Sequence, residues 1–143
     1  MNEMEKFDWN DKLSVGYNNI DIQHKKLLLI INRFADLFKL SNNEYKANIG
    51  KVLKDLADYT EYHFEAEEKI MSKYEYPALD EHSRIHTEFI KKVNNSLKLL
   101  AAGDIQTGIE FYNFLGSWLI QHICITDQLW ANYIAEKYPD EKF

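Results

Sequence analysis

The stretch FYNFLGSWLIQHICITDQLW, residues 111–130, decides how this chain is read. It is apolar enough for the interior of a helical protein, yet it carries His122 and Asp127. A buried carboxylate is costly unless a positive charge or hydrogen-bond donors meet it. Any fold assigned to the chain has to say what meets Asp127.

Working outward, the same region reads as one amphipathic helix. Ile105 or Ile109, Phe111, Leu115, Trp118, His122, Ile125 and Leu129 recur at three- and four-residue steps, and the pattern ends before Pro139. Gly103 is placed to close the preceding element and Asp104 to open this one. A third stripe, Leu79, His82, His86, Phe89, Val93, Leu97 and Leu100, follows a boundary forced by Pro77. A second carries Ile49, Val52, Leu56, Tyr59, His63, Glu67, Ile70 and Tyr74 after the break SNN at 41–43. It predicts a helix of about 30 residues, roughly 45 Å long, with Gly50 weakening its first turns. The first stripe is Ile20, His24, Leu27, Ile31, Phe34 and Phe38, with Asn18 and Asn19 as expected N-caps and Asp21 suited to the helix dipole. Ahead of it, residues 1–17 lack helical periodicity and are expected to form an arm anchored by Phe7, Trp9, Leu13, Val15 and Tyr17.

Four amphipathic helices with short connections predict an all-α protein, an antiparallel up-down four-helix bundle with an extended N-terminal arm. The expected organisation is one domain over 1–143, with the arm at 1–17 and the bundle at 18–138. The length of 143 residues suits one domain, and 5 glycines with 2 prolines suit long helices. A net charge of −6 without a basic run disfavours nucleic acid and anionic membrane surfaces as partners. No signal peptide is read in MNEMEKFDWNDK, and KLLLIIN reads as core because no run reaches about 18 apolar residues. The lone Cys124 fits a reducing compartment, so the expectation is a cytoplasmic protein.

All 5 histidines fall on these apolar stripes. One such histidine is ordinarily a hydrogen-bonded core residue. Five neutral imidazoles in one core need partners for every ring nitrogen, and a metal satisfies one nitrogen on each ring at once. His63 and Glu67 stand at i, i+4 in HFEAEE, and His82 and His86 repeat that spacing in HSRIH, so each pair shares a helix face. His24 comes alone in DIQHK. Bundles of this kind build metal sites from such inward positions.

His122 and Asp127, at i, i+5, fit less simply. Five residues turn about 500°, leaving the two roughly 140° apart on a straight α-helix. Asp127 then faces solvent or a neighbour's polar edge unless something brings it inward. A wide site holding two metals is the preferred expectation, and a local π-type widening of the helix is the other.

The ordered set H…H-x-x-x-E…H-x-x-x-H…H-x-x-x-x-D resembles the hemerythrin family. VGYNNIDIQHKKLL, HFEAEEKIM, the YP before the third helix and Trp118 ahead of HICITD agree with it. The long spacers, especially His86 to His122, look more like single-domain bacterial members than compact invertebrate carriers. The resemblance covers nearly the whole chain and implies a metal site of His24, His63, Glu67, His82, His86, His122 and Asp127. It implies two iron ions in an oxo- or hydroxo-bridged centre. His82, His86 and His122 would hold one iron and His24 and His63 the other, with Glu67 and Asp127 bridging, and one position would stay open. Imidazole and carboxylate suit iron, zinc or manganese, and iron is the family's implication.

The implied function is reversible binding of O2 as hydroperoxide, for storage, transport or delivery, with no enzyme activity and no identified protein partner. Two carboxylates against five imidazoles disfavour highly oxidised iron, which favours reversible binding. The alternatives are a di-iron enzyme handling peroxide or nitric oxide, an oxygen or redox sensor, and an iron-storage module. Ile125, Leu119, Phe64 and Trp118 are expected as apolar lining or plain core. Glu65 and Glu68 are expected to be solvated charges, and Cys124 structural.

Overall fold

A computed structural model describes residues 6–143, so the first five residues of the expected arm lie outside the described residues. Four helical rods form an antiparallel bundle, with no strand among the described residues. The first three are α1 (Asn18–Leu37), α2 (Asn42–Lys73) and α3 (Leu79–Ala102). The fourth rod is α4 (Ile105–Gln121), a π turn (His122–Thr126) and α5 (Asp127–Lys137). α1 packs on α2 and on α4, and α2 packs on α3. No helix among the described residues is long and apolar enough to cross a membrane.

Local chemistry sets the ends. Ser41 caps α2 by accepting from the Glu44 amide, and Asp104 caps α4 by accepting from the Thr107 amide. α2 runs unbroken through Gly50 for 32 residues. It closes in a Schellman motif in which the Tyr76 amide donates to the Met71 carbonyl and the Glu75 amide to the Ser72 carbonyl. The left-handed position of that motif, which glycine usually fills, is taken by Glu75 at φ 55°. Pro77 lies in the linker that follows, and α3 begins two residues after it.

One expectation about α1 is corrected, the N-caps, while Asp21 sits in the first turn as expected. Asn18 and Asn19 lie inside its first turn, and the preceding Tyr17 makes no side-chain cap. The amide of Asn19 is met by the chain's last residue instead, donating to the Phe143 carbonyl at 3.1 Å. Asp21 binds the arm, accepting from the Ser14 hydroxyl and from the Val15 amide.

The arm wraps the α1–α4 side through a 3-10 turn at Asp11–Leu13. Phe7 and Asn32 exchange hydrogen bonds, the Phe7 amide donating at 2.9 Å and its carbonyl accepting at 2.7 Å. The Phe7 ring fills the space a β-carbon on Gly116 would need, which would lie 2.0 Å from two of its ring atoms. Leu13, Val15 and Tyr17 are buried as expected, and Phe7 and Trp9 are half-buried.

The π turn settles the fourth rod. Inside it the Asp127 amide donates to the His122 carbonyl, five residues back. The extra residue resets the buried face: Leu115 and Leu119 are buried before the turn, His122 and Ile123 at its start, and Asp127, Trp130 and Ile134 after it. Ile125 and Leu129, expected on the inner stripe, are instead 58% and 57% exposed. Of the two routes proposed for bringing Asp127 inward, the widened helix is observed.

The core divides into two apolar clusters. The larger includes Leu27, Phe34, Leu53, Phe64, Phe89, Leu115, Leu119 and Ile123. The smaller closes one end of the bundle with Tyr17, Ile20, Met71, Tyr74, Trp130 and Ile134. Along each rod the histidines and carboxylates fall where one cluster gives way to the other: His24 between Ile20 and Leu27, Glu67 between Phe64 and Met71.

Candidate metal centre

All five histidines, Glu67 and Asp127 are buried, none more than 4% exposed. They form one cluster whose Nε2 atoms face the two carboxylates. His24 and His63 present Nε2 to Glu67 Oε2 at 3.1 and 3.2 Å. On the other side His86 Nε2 lies 3.3 Å from Glu67 Oε1. Asp127 is divided in the same way. Its Oδ2 lies 3.2 Å from His24, while Oδ1 lies 3.2 Å from His82 and 3.1 Å from His122. Each carboxylate therefore gives one oxygen to the His24/His63 side and the other to the His82/His86/His122 side. Two sets of these groups could hold a metal ion: His24, His63 and Glu67, and Glu67, His82, His86, His122 and Asp127.

The atoms fit a cation better than they fit one another. Glu67 Oε1, His82 Nε2 and Asp127 Oδ2 are fully buried and have no hydrogen-bond partner, although each has an opposite atom at 3.2–3.3 Å. Distances are met and hydrogen-bond angles are not, as expected of donor atoms aimed at a point between them. Buried polar atoms are rarely left so. The donor set, imidazole nitrogen with carboxylate oxygen, is that of iron, zinc or manganese.

The electrostatics agree. Burial pushes the His24 imidazolium down, but Asp127 and Glu67 outweigh it and raise its pKa to about 9. For His122 burial again lowers and Asp127 raises, with a net rise. Burial pushes the Glu67 and Asp127 carboxyls up, yet the imidazoles around them hold both well below the usual carboxylate range. The pocket is thus built to keep two carboxylates ionised against positive charge.

Residues outside the cluster fix the rings. Gln23 Oε1 accepts from His63 Nδ1 at 2.7 Å, which leaves Nε2 free to face inward. Glu68 does the same for His86, at 3.2 Å, and is itself held by the Ser83 hydroxyl. The expectation of a solvated Glu68 is corrected: its side chain is 29% exposed and turned onto His86. Trp130 Nε1 donates to Asp127 Oδ1 at 3.3 Å. Phe64 stacks on His86 at 3.7 Å, and Trp118 stacks on His122 at 4.6 Å. Leu119 and Phe64 are buried beside the cluster, while Ile125 flanks a surface cavity of about 230 Å3 with Trp118, Gln121 and His122. Gln23 had a sequence signal, a polar residue one turn from Leu27 on an apolar stripe. Glu68 had none, because an acid beside another acid in HFEAEE looks like an exposed charge.

Residues 15–134 match the hemerythrin HHE cation binding domain. The chain belongs to the hemerythrin family. It is 34% identical over 127 residues to a bacteriohemerythrin of Stenotrophomonas maltophilia, covering 88% of this chain and 80% of that one. A bacteriohemerythrin of Clostridium acetobutylicum is 31% identical over 127 residues, covering 85% of this chain and 96% of that one. A crystal structure of a hemerythrin mutant superposes with a TM-score of 0.77 at 25% identity, over 90% of this chain and 97% of that one. These relatives agree with the bacterial type of hemerythrin indicated by the long spacers, and the solved hemerythrin shares the four-helix architecture.

Proposed function

We propose that this hemerythrin-family chain is one domain over 1–143 that holds two iron ions and binds O2 reversibly in the cytoplasm, for storage, transport or delivery. In this reading His24 and His63 would hold one iron and His82, His86 and His122 the other, with Glu67 and Asp127 available to both. The observation that carries the reading is the division of each carboxylate, one oxygen facing each imidazole set. A single-ion site gives no reason for both carboxylates to be split in this way.

Two irons, when bound, supply the electron pair that O2 takes up on binding and returns on release. The chain's own residues do the rest. Gln23 and Glu68 orient His63 and His86 through their Nδ1 atoms, and Trp130 steadies Asp127. Phe64, Phe89, Leu27 and Leu119 exclude water from one side of the cluster, and Ile20, Met71 and Trp130 from the other. The His24/His63 side has one imidazole fewer, and an open position would fall there. Every side chain of the cluster would serve as a ligand, which leaves the cluster itself no group to act as a general acid.

The test is an anaerobic titration of the fully reduced, iron-loaded protein with O2, followed by optical spectroscopy. A visible charge-transfer band that grows with O2 and disappears under argon supports reversible binding. Irons that oxidise without a reversible band contradict it and favour an enzyme.

A further inference from the structure

Thr60 is a buried polar residue that nothing in the fold uses. It lies on the inner face of α2 at 1% exposure, and its Oγ1 has no hydrogen-bond partner. A helical threonine ordinarily returns its hydroxyl to the carbonyl one turn back or keeps it in water. Among the described residues, the other orphaned side-chain atoms belong to the cluster just described, apart from the Tyr45 hydroxyl, which sits in the space that a β-carbon on Gly108 would fill.

Its place in the bundle gives the hydroxyl a use. Thr60 is one turn from His63 on the same helix face, and helical side chains lean toward the N-terminus, so His63 leans toward it. The bundle is antiparallel, so one turn in that same direction leads from His24 to Leu27, from His86 to Phe89 and from His122 to Leu119. All three are buried and belong to one apolar cluster with Phe64. Thr60 thus supplies the one hydroxyl in an otherwise apolar layer beside the centre. It comes from the helix that carries His63, on the side with two imidazoles.

We infer that Thr60 contacts the exogenous ligand, donating a hydrogen bond from Oγ1 to a small anion bound at the open position beside His24 and His63. The inference rests on the two-iron reading above. A donor in a dry, apolar layer is stronger than one in water, and it favours a ligand carrying negative charge over a neutral one.

The test uses the full chain loaded with two ferric irons and azide as the probe, titrated optically. Thr60→Val keeps the shape and removes the hydroxyl, and Thr60→Ser restores it. Thr60→Val should bind azide about tenfold more weakly, with Thr60→Ser within about twofold of wild type. The metal-free Thr60→Val protein should melt no lower than wild type, because the hydroxyl has no partner in the fold. Unchanged azide affinity in Thr60→Val, or Thr60→Ser weakened as much as Thr60→Val, overturns the contact and leaves the two-iron reading standing. A lower melting temperature for metal-free Thr60→Val also overturns it, by giving the hydroxyl a structural role. Wild-type protein that holds both irons and takes no azide overturns the open position, and the contact with it.

Discussion

α2 and the fourth rod perform the same task by different means. Each brings a histidine and a carboxylate to the bundle axis. α2 does so with an ordinary helix, His63 and Glu67 at i, i+4, where the geometry of 3.6 residues per turn places both on one face. The fourth rod uses i, i+5, and only the π turn at His122–Thr126 makes that spacing converge. The outcome is nearly the same: His63 lies 3.2 Å from Glu67 and His122 lies 3.1 Å from Asp127. The difference is in what the rest of the helix must accept, since the widened turn moves Ile125 and Leu129 out to solvent. Irregular helix at a functional site is a common association, and here the irregularity is what aligns the carboxylate.

Removing either carboxylate is the largest test of that equivalence. Glu67→Ala and Asp127→Ala should both lose metal from the two sides, because each carboxylate faces both sets, and His122→Ala should lose at least its own side. Metal analysis after reconstitution reads this directly, and full occupancy in any of the three contradicts the assignment. Changing the spacing is more selective. Inserting an alanine after Glu65 rotates His63 about 100° from Glu67 and should abolish binding unless α2 acquires its own π turn. Deleting the exposed Ile125 should convert the π turn to α-helix, bring His122 and Asp127 to i, i+4, and retain metal. Loss of metal on deletion, with helical content intact, means that the π turn itself is required.

Smaller effects separate the proposed ligands from the residues that aim them. Gln23→Ala and Glu68→Ala should weaken metal binding by about 10–100-fold without removing it, read by competition with a chelator. The pH dependence has a definite sign. In the metal-free protein the His24 pKa is raised from 6.5 to about 9, so its contribution to stability is complete below 6.5 and is lost as pH rises through 9. The depressed Glu67 and Asp127 carboxyls contribute above the ordinary carboxylate range and lose that contribution as pH falls. Metal uptake near neutral pH should therefore release a proton from His24, and apparent affinity should rise with pH toward 9. Calorimetry in buffers of different ionisation enthalpy measures it, and uptake without proton release contradicts it. The smallest effect lies away from the centre: Glu75→Gly should stabilise the fold by about 1 kcal/mol, by relieving the left-handed residue that closes α2. Thermal melts with metal content unchanged will show it.

Much of this was legible in the sequence. Four stripes with three- and four-residue steps name the four rods, and all seven residues of the histidine–carboxylate cluster were visible on them or beside them. Asp127 is the instructive exception. Its position follows from a backbone irregularity, and periodicity assumes a regular helix, so the stripe drawn through Ile125 and Leu129 ran one residue out of register after His122. Capping of α1 was illegible for a different reason, because its amide at Asn19 is met by Phe143, more than a hundred residues away. Glu68 shows a third limit: a carboxylate that orients a ring is indistinguishable in sequence from one that faces water.

The most direct test of the paired centre is a crystal structure of the iron-loaded protein with anomalous scattering recorded at the iron edge. Two peaks are predicted, one among His24 and His63 and the other among His82, His86 and His122, with Glu67 and Asp127 each within bonding distance of both. A single peak, or an Asp127 that touches neither, contradicts the account.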